Sequence, residues 1–220
     1  MKESLVSVIP FSQALRERTR SSHSDSSGAT FMSDLMTGGS TRDHYVALVV
    51  QHYFLYAALE TAALRFADDA VAAPFISEHL TRLPALEADL DFLAGPNWQD
   101  TITPLPSTER YVGRIEEIAQ QGWAGGFIAH HYTRYLGDLS GGQAISRVMQ
   151  RLFGFDTSGV DFYRFEQIDS PSEFKRAYRD ELDAVDWNAT ERDRVIDEVL
   201  AAYQLNTDVF VDLDAAKADA

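Results

Sequence analysis

Residues 132–143 read Tyr-Thr-Arg-Tyr-Leu-Gly-Asp-Leu-Ser-Gly-Gly-Gln, and this stretch constrains the fold more than any other. Its flanks have a helical pattern, yet Gly137, Gly141 and Gly142 fall inside it. A glycine in a helix interior costs about 1 kcal/mol relative to alanine, so these positions need a reason. Gly137 and Gly141 are four apart and share one helix face. A face without side chains lets a neighbour lie directly on the backbone and lets the helix bend. The neighbour can be a second helix or a flat ligand. Asp138 puts an ionisable group beside that face, which points to a large planar ligand.

The rest of the chain reads as helix. Phe11–Ser22 is Arg-rich and amphipathic, and Phe31–Met36 forms a short helix stopped by Gly38-Gly39. Ser40 or Thr41 caps a long helix through His44, Leu48, Gln51, Leu55, Leu59 and Ala63. Helices over Leu80–Leu93, Thr108–Gln120 and Phe127–Phe153 follow, the last ended by Gly154. Ser170-Pro171-Ser172-Glu173 combines a Ser cap, Pro at the first position and Glu three after the cap. Asn188-Ala189-Thr190-Glu191 repeats that logic for a last helix to about Leu213. Asp156–Ile168 is aromatic and irregular. Strand alternation is missing, so the expectation is one all-α domain over 11–213, with tails at 1–10 and 214–220.

Composition narrows the chemistry. Of 220 residues none is cysteine, which excludes thiolate ligation, disulfides and covalent c-type heme attachment. A metal would fall to histidine, carboxylate or tyrosine, and the histidines are His23, His44, His52, His79, His130 and His131. The formal net charge of −15 argues against nucleic acid as a partner. Basic residues nevertheless cluster at Arg16/Arg18/Arg20, Arg147/Arg151 and Lys175/Arg176/Arg179, as for a local anion site or for surface ion pairs. Met1–Pro10 lacks a signal-peptide core. No apolar run approaches the ~18 residues of a membrane span.

The glycine string resembles the distal-helix signature of the heme oxygenases. So, in family order and spacing, do His23 followed by Phe31-Met32-Ser33-Asp34-Leu35, Tyr56-Ala57-Ala58-Leu59-Glu60, Phe174-Lys175 with Tyr178-Arg179, and Leu205-Asn206 with Phe210. The resemblance runs from about Ala14 to Leu213. It implies a multi-helix bundle holding heme between a proximal helix and a Gly-kinked distal helix.

Residue roles follow from that resemblance. His23 falls at the proximal position and would be the axial ligand of heme iron. Read alone, His23 fits a surface histidine better than a ligand, and the resemblance reverses that; His130 and His131 are rivals only if the resemblance misleads. Arg16, Lys175, Arg179 and Tyr132 match family residues that bind heme propionates. Lys175 and Arg179 could instead pair with Glu173 and Asp180. Asp138 matches the distal aspartate that orders water to deliver a proton to dioxygen. Gly137 and Gly141 would let the backbone crowd the heme, and Met32 and Phe210 would line its pocket. Arg134, four residues before Asp138, could hold it. Tyr56 and Asn206 match distal polar residues, although a satisfied buried hydrogen bond would also explain each. One departure stands out: many family members carry a glutamate four residues after the proximal histidine, where this chain has Ser27, a neutral and weaker acceptor for the free ring nitrogen.

The implied function is cleavage of heme b, as substrate and cofactor, to biliverdin, carbon monoxide and ferrous iron. Dioxygen and an external electron donor would be required, either a reductase or a protein of ferredoxin or flavodoxin type. Some eukaryotic members carry a hydrophobic tail anchor. The polar end of this chain leads to the expectation of a soluble, cytoplasmic protein without a membrane anchor. A heme carrier or sensor of the same fold, and a related helical hydrolase without heme, are the rival readings.

Overall fold

The computed structural model describes residues 9–218, all helix, turn and loop with no strand among the described residues. The helices are α1 (Phe11–Arg18), α2 (Arg20–Ser27), α3 (Thr30–Thr37), α4 (Arg42–Arg65), α5 (Leu83–Ala94), α6 (Pro106–Gln121), α7 (Ala124–His131), α8 (Gln143–Phe153), α9 (Pro171–Ala184) and α10 (Ala189–Ala218). The first eight residues of the expected N-terminal tail and the last two of the C-terminal tail lie outside the described residues. Residues 214–218 continue α10 rather than forming a tail.

Helix boundaries follow local chemistry. Thr41, not Ser40, caps α4: its hydroxyl accepts from the His44 backbone N–H at 3.3 Å, and its own N–H donates to His44 Nδ1 at 3.2 Å. Two orphan donors at the helix start are thereby satisfied. Ser170 caps α9 and Asn188 caps α10, as their spacing predicted. Gly154 ends α8 at φ 70°, a left-handed conformation that side chains disfavour. The helix expected from Leu80 starts at Leu83, because Glu78–Leu80 closes a separate 3₁₀ turn.

Two departures shape the interior. The first helix does not end at Ser22. It kinks at Thr19, whose buried hydroxyl donates to the Leu15 carbonyl at 2.9 Å, and continues as α2. Such back-bonding bends helices, and it places His23 mid-helix. The expected helix over Phe127–Phe153 is interrupted by two π-helical turns, Tyr132–Leu136 and Asp138–Gly142. The wider turn weakens the regular backbone ladder. Thr133 and Ser140 hydroxyls bond the Ala129 and Leu136 carbonyls within it.

Helix α4 is long and apolar enough, by length and composition, to cross a membrane, contrary to the expectation that no segment would be. Half of that window is buried, and the helix packs against α5 and α6. Burial of Leu48, Leu55 and Leu59 contributes about 1.5–3 kcal/mol each. Helix α10 packs along α2, α3, α6 and α7. Its buried Glu198 takes a bidentate Arg114 at 2.9 and 2.6 Å and His130 Nε2 at 2.9 Å. Burial alone would raise that carboxyl, but the His130 and Arg114 hydrogen bonds prevail and hold it at about 2.

The irregular stretch after α8 is pinned by Asp89 of α5. Its carboxylate accepts backbone N–H groups of Gly159, Asp161 and Phe162 at 2.7, 3.0 and 2.9 Å. This presses Tyr163 onto the second π turn, where a Cβ on Gly142 would lie 2.8 Å from Tyr163 Cδ1. Gly142→Ala should therefore destabilise the protein by about 1–3 kcal/mol. Gly113→Ala, at an exposed position of α6 with open space around the new methyl, should stabilise it by up to about 1 kcal/mol. Denaturant unfolding of both variants checks the contrast.

Candidate functional site

Between α2 and the π-helical segment the helices leave a cavity with two lobes. The larger apolar share belongs to a lobe of about 440 Å³, walled by Met32, Leu48, Ile145 and Phe210. The second, about 480 Å³, is lined by Arg16, Arg20, Tyr132 and Arg179. His23, Gly137, Ser140 and Tyr203 line both lobes, so the two adjoin along these residues. His23 is exposed into it from α2. Its ring stands edge-on to Tyr203 at 5.7 Å.

Gly137 and Gly141 supply the opposite wall. A Cβ at either would meet nothing within 4 Å. Packing does not exclude a side chain there, so the helix-packing explanation fails for these two and holds only for Gly142. The bare backbone faces empty space that a flat apolar ligand would fill.

Asp138 sits beside that wall. The Tyr56 hydroxyl donates to its Oδ2. Burial raises the Asp138 carboxyl above the usual carboxylate range, while Arg134 and the Tyr56 bond pull against it. Arg134 does not hold Asp138 directly, contrary to expectation. Its guanidinium lies 5.2 Å over the Tyr56 ring and donates to Asn206 Oδ1 at 2.6 Å. Asn206 then donates to the buried Ser26 hydroxyl at 2.8 Å. One polar chain thus joins the distal segment, α10 and α2, and Arg134 acts on Asp138 through space.

The basic lobe carries uncompensated charge. Among the described residues Arg16, Arg20, Lys175 and Arg179 form no ion pair. Glu173 faces Arg176 instead, at 4.0 Å. Lys175 donates to Ser140 at 2.9 Å, behind the lining, and partial burial and Arg179 hold its ammonium below its ordinary value. Arg179 Nε is buried without a hydrogen-bond partner. Burial raises the Tyr132 hydroxyl, with Arg179 and Arg16 acting the other way. Cations kept close without counter-charge suit an anionic ligand edge. Arg18, between Arg16 and Arg20, pairs instead with Asp193, and Arg147 and Arg151 are exposed on α8.

Ser27 departs from its expected role. Ser27 does not offer its hydroxyl to the imidazole: Oγ donates to the His23 backbone carbonyl at 2.8 Å, as an α-helical Ser often does. His130 and His131 are buried elsewhere, bonded to Glu198 and to the Tyr178 hydroxyl. Sequence reasoning also missed lining residues. Tyr203 lies on the same α10 face as Asn206 and Phe210, and His52 one turn before Tyr56, so face periodicity could have found both. Tyr163, in an irregular stretch, gave no such signal.

The raised Asp138 carboxyl has a consequence for stability. Below its unfolded ionisation range, near pH 4, the group is neutral in both states and its burial carries no charge penalty. As pH rises through its higher folded value, the fold bears the full cost of the buried charge. Asp138→Asn keeps the Tyr56 contact without that charge. It should stabilise the ligand-free protein at pH 8 and by less at pH 5. Urea titrations at the two pH values check it, and an equal gain at both would contradict it.

Comparison with known proteins agrees with this geometry. The sequence model of the heme oxygenase family matches residues 9–212. Human heme oxygenase 1 is 38% identical over 205 residues, covering 92% of this chain and 71% of the relative. The heme oxygenase of Takifugu rubripes is 37% identical over 204 residues, covering 92% and 73%. Among solved structures, heme oxygenase-1 of the cyanobacterium Synechocystis, in complex with heme, superposes with a TM-score of 0.90 at 31% identity over 94% of each chain. Heme oxygenase from Leptospira interrogans superposes with a TM-score of 0.87 at 30% identity, over 92% of this chain and 98% of that one. The bare glycine wall, the facing histidine and the family match together make this chain a member of the heme oxygenase family.

Proposed function

We propose that the two-lobed cavity binds heme b, as substrate and cofactor, with His23 as axial ligand, and that the chain degrades it to biliverdin. The observation that carries this reading is His23 facing the side-chain-free backbone of Gly137 and Gly141 across one apolar space with a cationic edge. Bound there, heme supplies an iron that activates dioxygen against its own macrocycle, releasing carbon monoxide and ferrous iron. The protein's part is orientation, proton supply and exclusion of competing reactions.

Each residue has a defined task in this reading. A neutral His23 imidazole offers a nitrogen to iron. Arg16, Arg179 and Tyr132, with Lys175 behind Ser140, hold the propionate edge and so set the rotation of the ring. Met32 and Phe210 enclose its apolar body. Gly137 and Gly141 let the backbone limit which edge of the ring is open to attack. Asp138 has Oδ2 occupied by Tyr56, which leaves Oδ1 to order water and pass a proton. Tyr56 holds that carboxylate in place, Arg134 acts on it through space, and Asn206 fixes Arg134. A carrier would gain nothing from a buried carboxylate in the cavity wall, which favours turnover over storage.

Electrons come from an external donor, a reductase or a ferredoxin- or flavodoxin-type protein, and dioxygen is the co-substrate. Residues 11–213 form the working domain, and the site of action is the cytoplasm, a reading helped by α4 being packed into the core.

The test is aerobic incubation with hemin and an electron source. Wild-type protein should show a Soret band and release biliverdin. His23→Ala should keep much of its heme through the pocket and propionate contacts but lose turnover, with added imidazole restoring part of it. Asp138→Ala should retain heme and lose about 10²–10⁴-fold in biliverdin formation. Normal turnover in both variants would overturn the assignment.

A further inference from the structure

Three buried polar atoms on the Asp138 side of the cavity lack hydrogen-bond partners: His52 Nδ1, the Tyr163 hydroxyl and Arg134 Nε. All three residues line the same lobe. His52 is 6% exposed and Tyr163 1%. They come from separate elements, α4, the loop pinned by Asp89 and the first π turn, so their convergence is not an accident of one helix face. An unpartnered buried polar group costs about 1–3 kcal/mol. Native structures satisfy such groups with ordered water where the space is polar and roomy enough. A water needs about 30 Å³, and this lobe has about 440 Å³.

We propose that His52, with the Tyr163 hydroxyl, is a further positioning residue for the reaction, anchoring ordered water beside Asp138 on the distal side of the cavity. The proposal rests on the heme reading above and extends its proton path. The His52 ring is wedged 5.1 Å from Phe162 and 6.5 Å from Tyr56, so its direction is fixed. Burial and the nearby Arg134 cation keep the imidazole neutral. A neutral imidazole presents one donor and one acceptor, as a tyrosine hydroxyl does. Both groups can therefore continue a chain of waters in either direction. A polar ligand in the cavity would give the imidazole and the phenol the partner they lack. Water held at several points protonates dioxygen in one geometry, whereas loosely held water lets reduced oxygen escape as peroxide.

The experiment uses His52→Phe and Tyr163→Phe in the full chain. Heme affinity should stay within about twofold, because neither group touches propionates or iron. Biliverdin formed per electron consumed should fall several-fold, with hydrogen peroxide rising to match. The acid–alkaline midpoint of the ferric heme complex, read by absorbance, should rise by about half a pH unit or more as a hydrogen bond to the iron-side water is lost. Thermal midpoints of the heme-free variants report folding. If His52→Phe fails to fold, Tyr163→Phe, which removes one oxygen, carries the test alone. Unchanged product partition and an unchanged midpoint would overturn the proposal. So would a two-histidine iron spectrum in wild type that disappears in His52→Phe, which would make His52 a ligand. Failure of wild type itself to bind or turn over hemin would instead overturn the heme reading.

Discussion

The side-chain-free wall at Gly137 and Gly141 is the constraint on which the rest of the structure depends. Gly137 and Gly141 have no neighbour where a side chain would stand, yet they sit in a helical segment that side chains would stabilise. The chain absorbs the cost by burying Tyr132–Leu136 on every side and catching loosened carbonyls with Thr133 and Ser140. Gly142 lets Tyr163 close against the same segment. The π-helical turns are thus the means by which the wall bends around the cavity.

The second requirement is a carboxylate that stays ionisable in a low-dielectric wall. Arg134 is the centre of the solution. It is buried at 7% exposure, and the burial that would lower its ionisation is outweighed by Tyr56 and Asp138. Through Asn206 and Ser26 it ties α10 to α2, the helix that carries His23. The polar chain that holds Asp138 therefore also fixes the distance between the two faces of the cavity. Removing any one partner leaves another buried group unsatisfied, which makes the network a rigid frame and not a set of independent contacts.

The sequence was legible where local chemistry decides. Thr41, Ser170 and Asn188 announced their helices through capping, and the glycine string announced a wall without side chains. Residues that line the cavity from a helix, such as Met32, Asn206 and Phe210, were reached through the family resemblance. Tertiary effects stayed hidden. The kink at Thr19 depends on one hydroxyl choosing a carbonyl. The partner of Arg134 depends on where α10 lies, so the spacing to Asp138 pointed to the wrong contact. Ser27 could not be seen to face its own backbone. Tyr163 reached the site only because Asp89, seventy-four residues earlier in the sequence, holds its loop. Separating the Gly142 role from those of Gly137 and Gly141 needed coordinates, since all three look alike in the string.

Nothing in the fold requires Gly137 to be bare, since no atom lies within 4 Å of where its Cβ would stand; the proposed heme site does. Substitution by alanine separates the two with opposite signs. In the heme-free protein Gly137→Ala should raise stability by about 0.5–1 kcal/mol, the ordinary gain of alanine over glycine in a helix. Hemin titration of the same variant should show weakened binding, because the new methyl would occupy the face on which the proposed site places the macrocycle. A more stable apoprotein that binds hemin less tightly is the predicted result. An alanine variant that loses stability, or that binds hemin as tightly as wild type, would contradict the account.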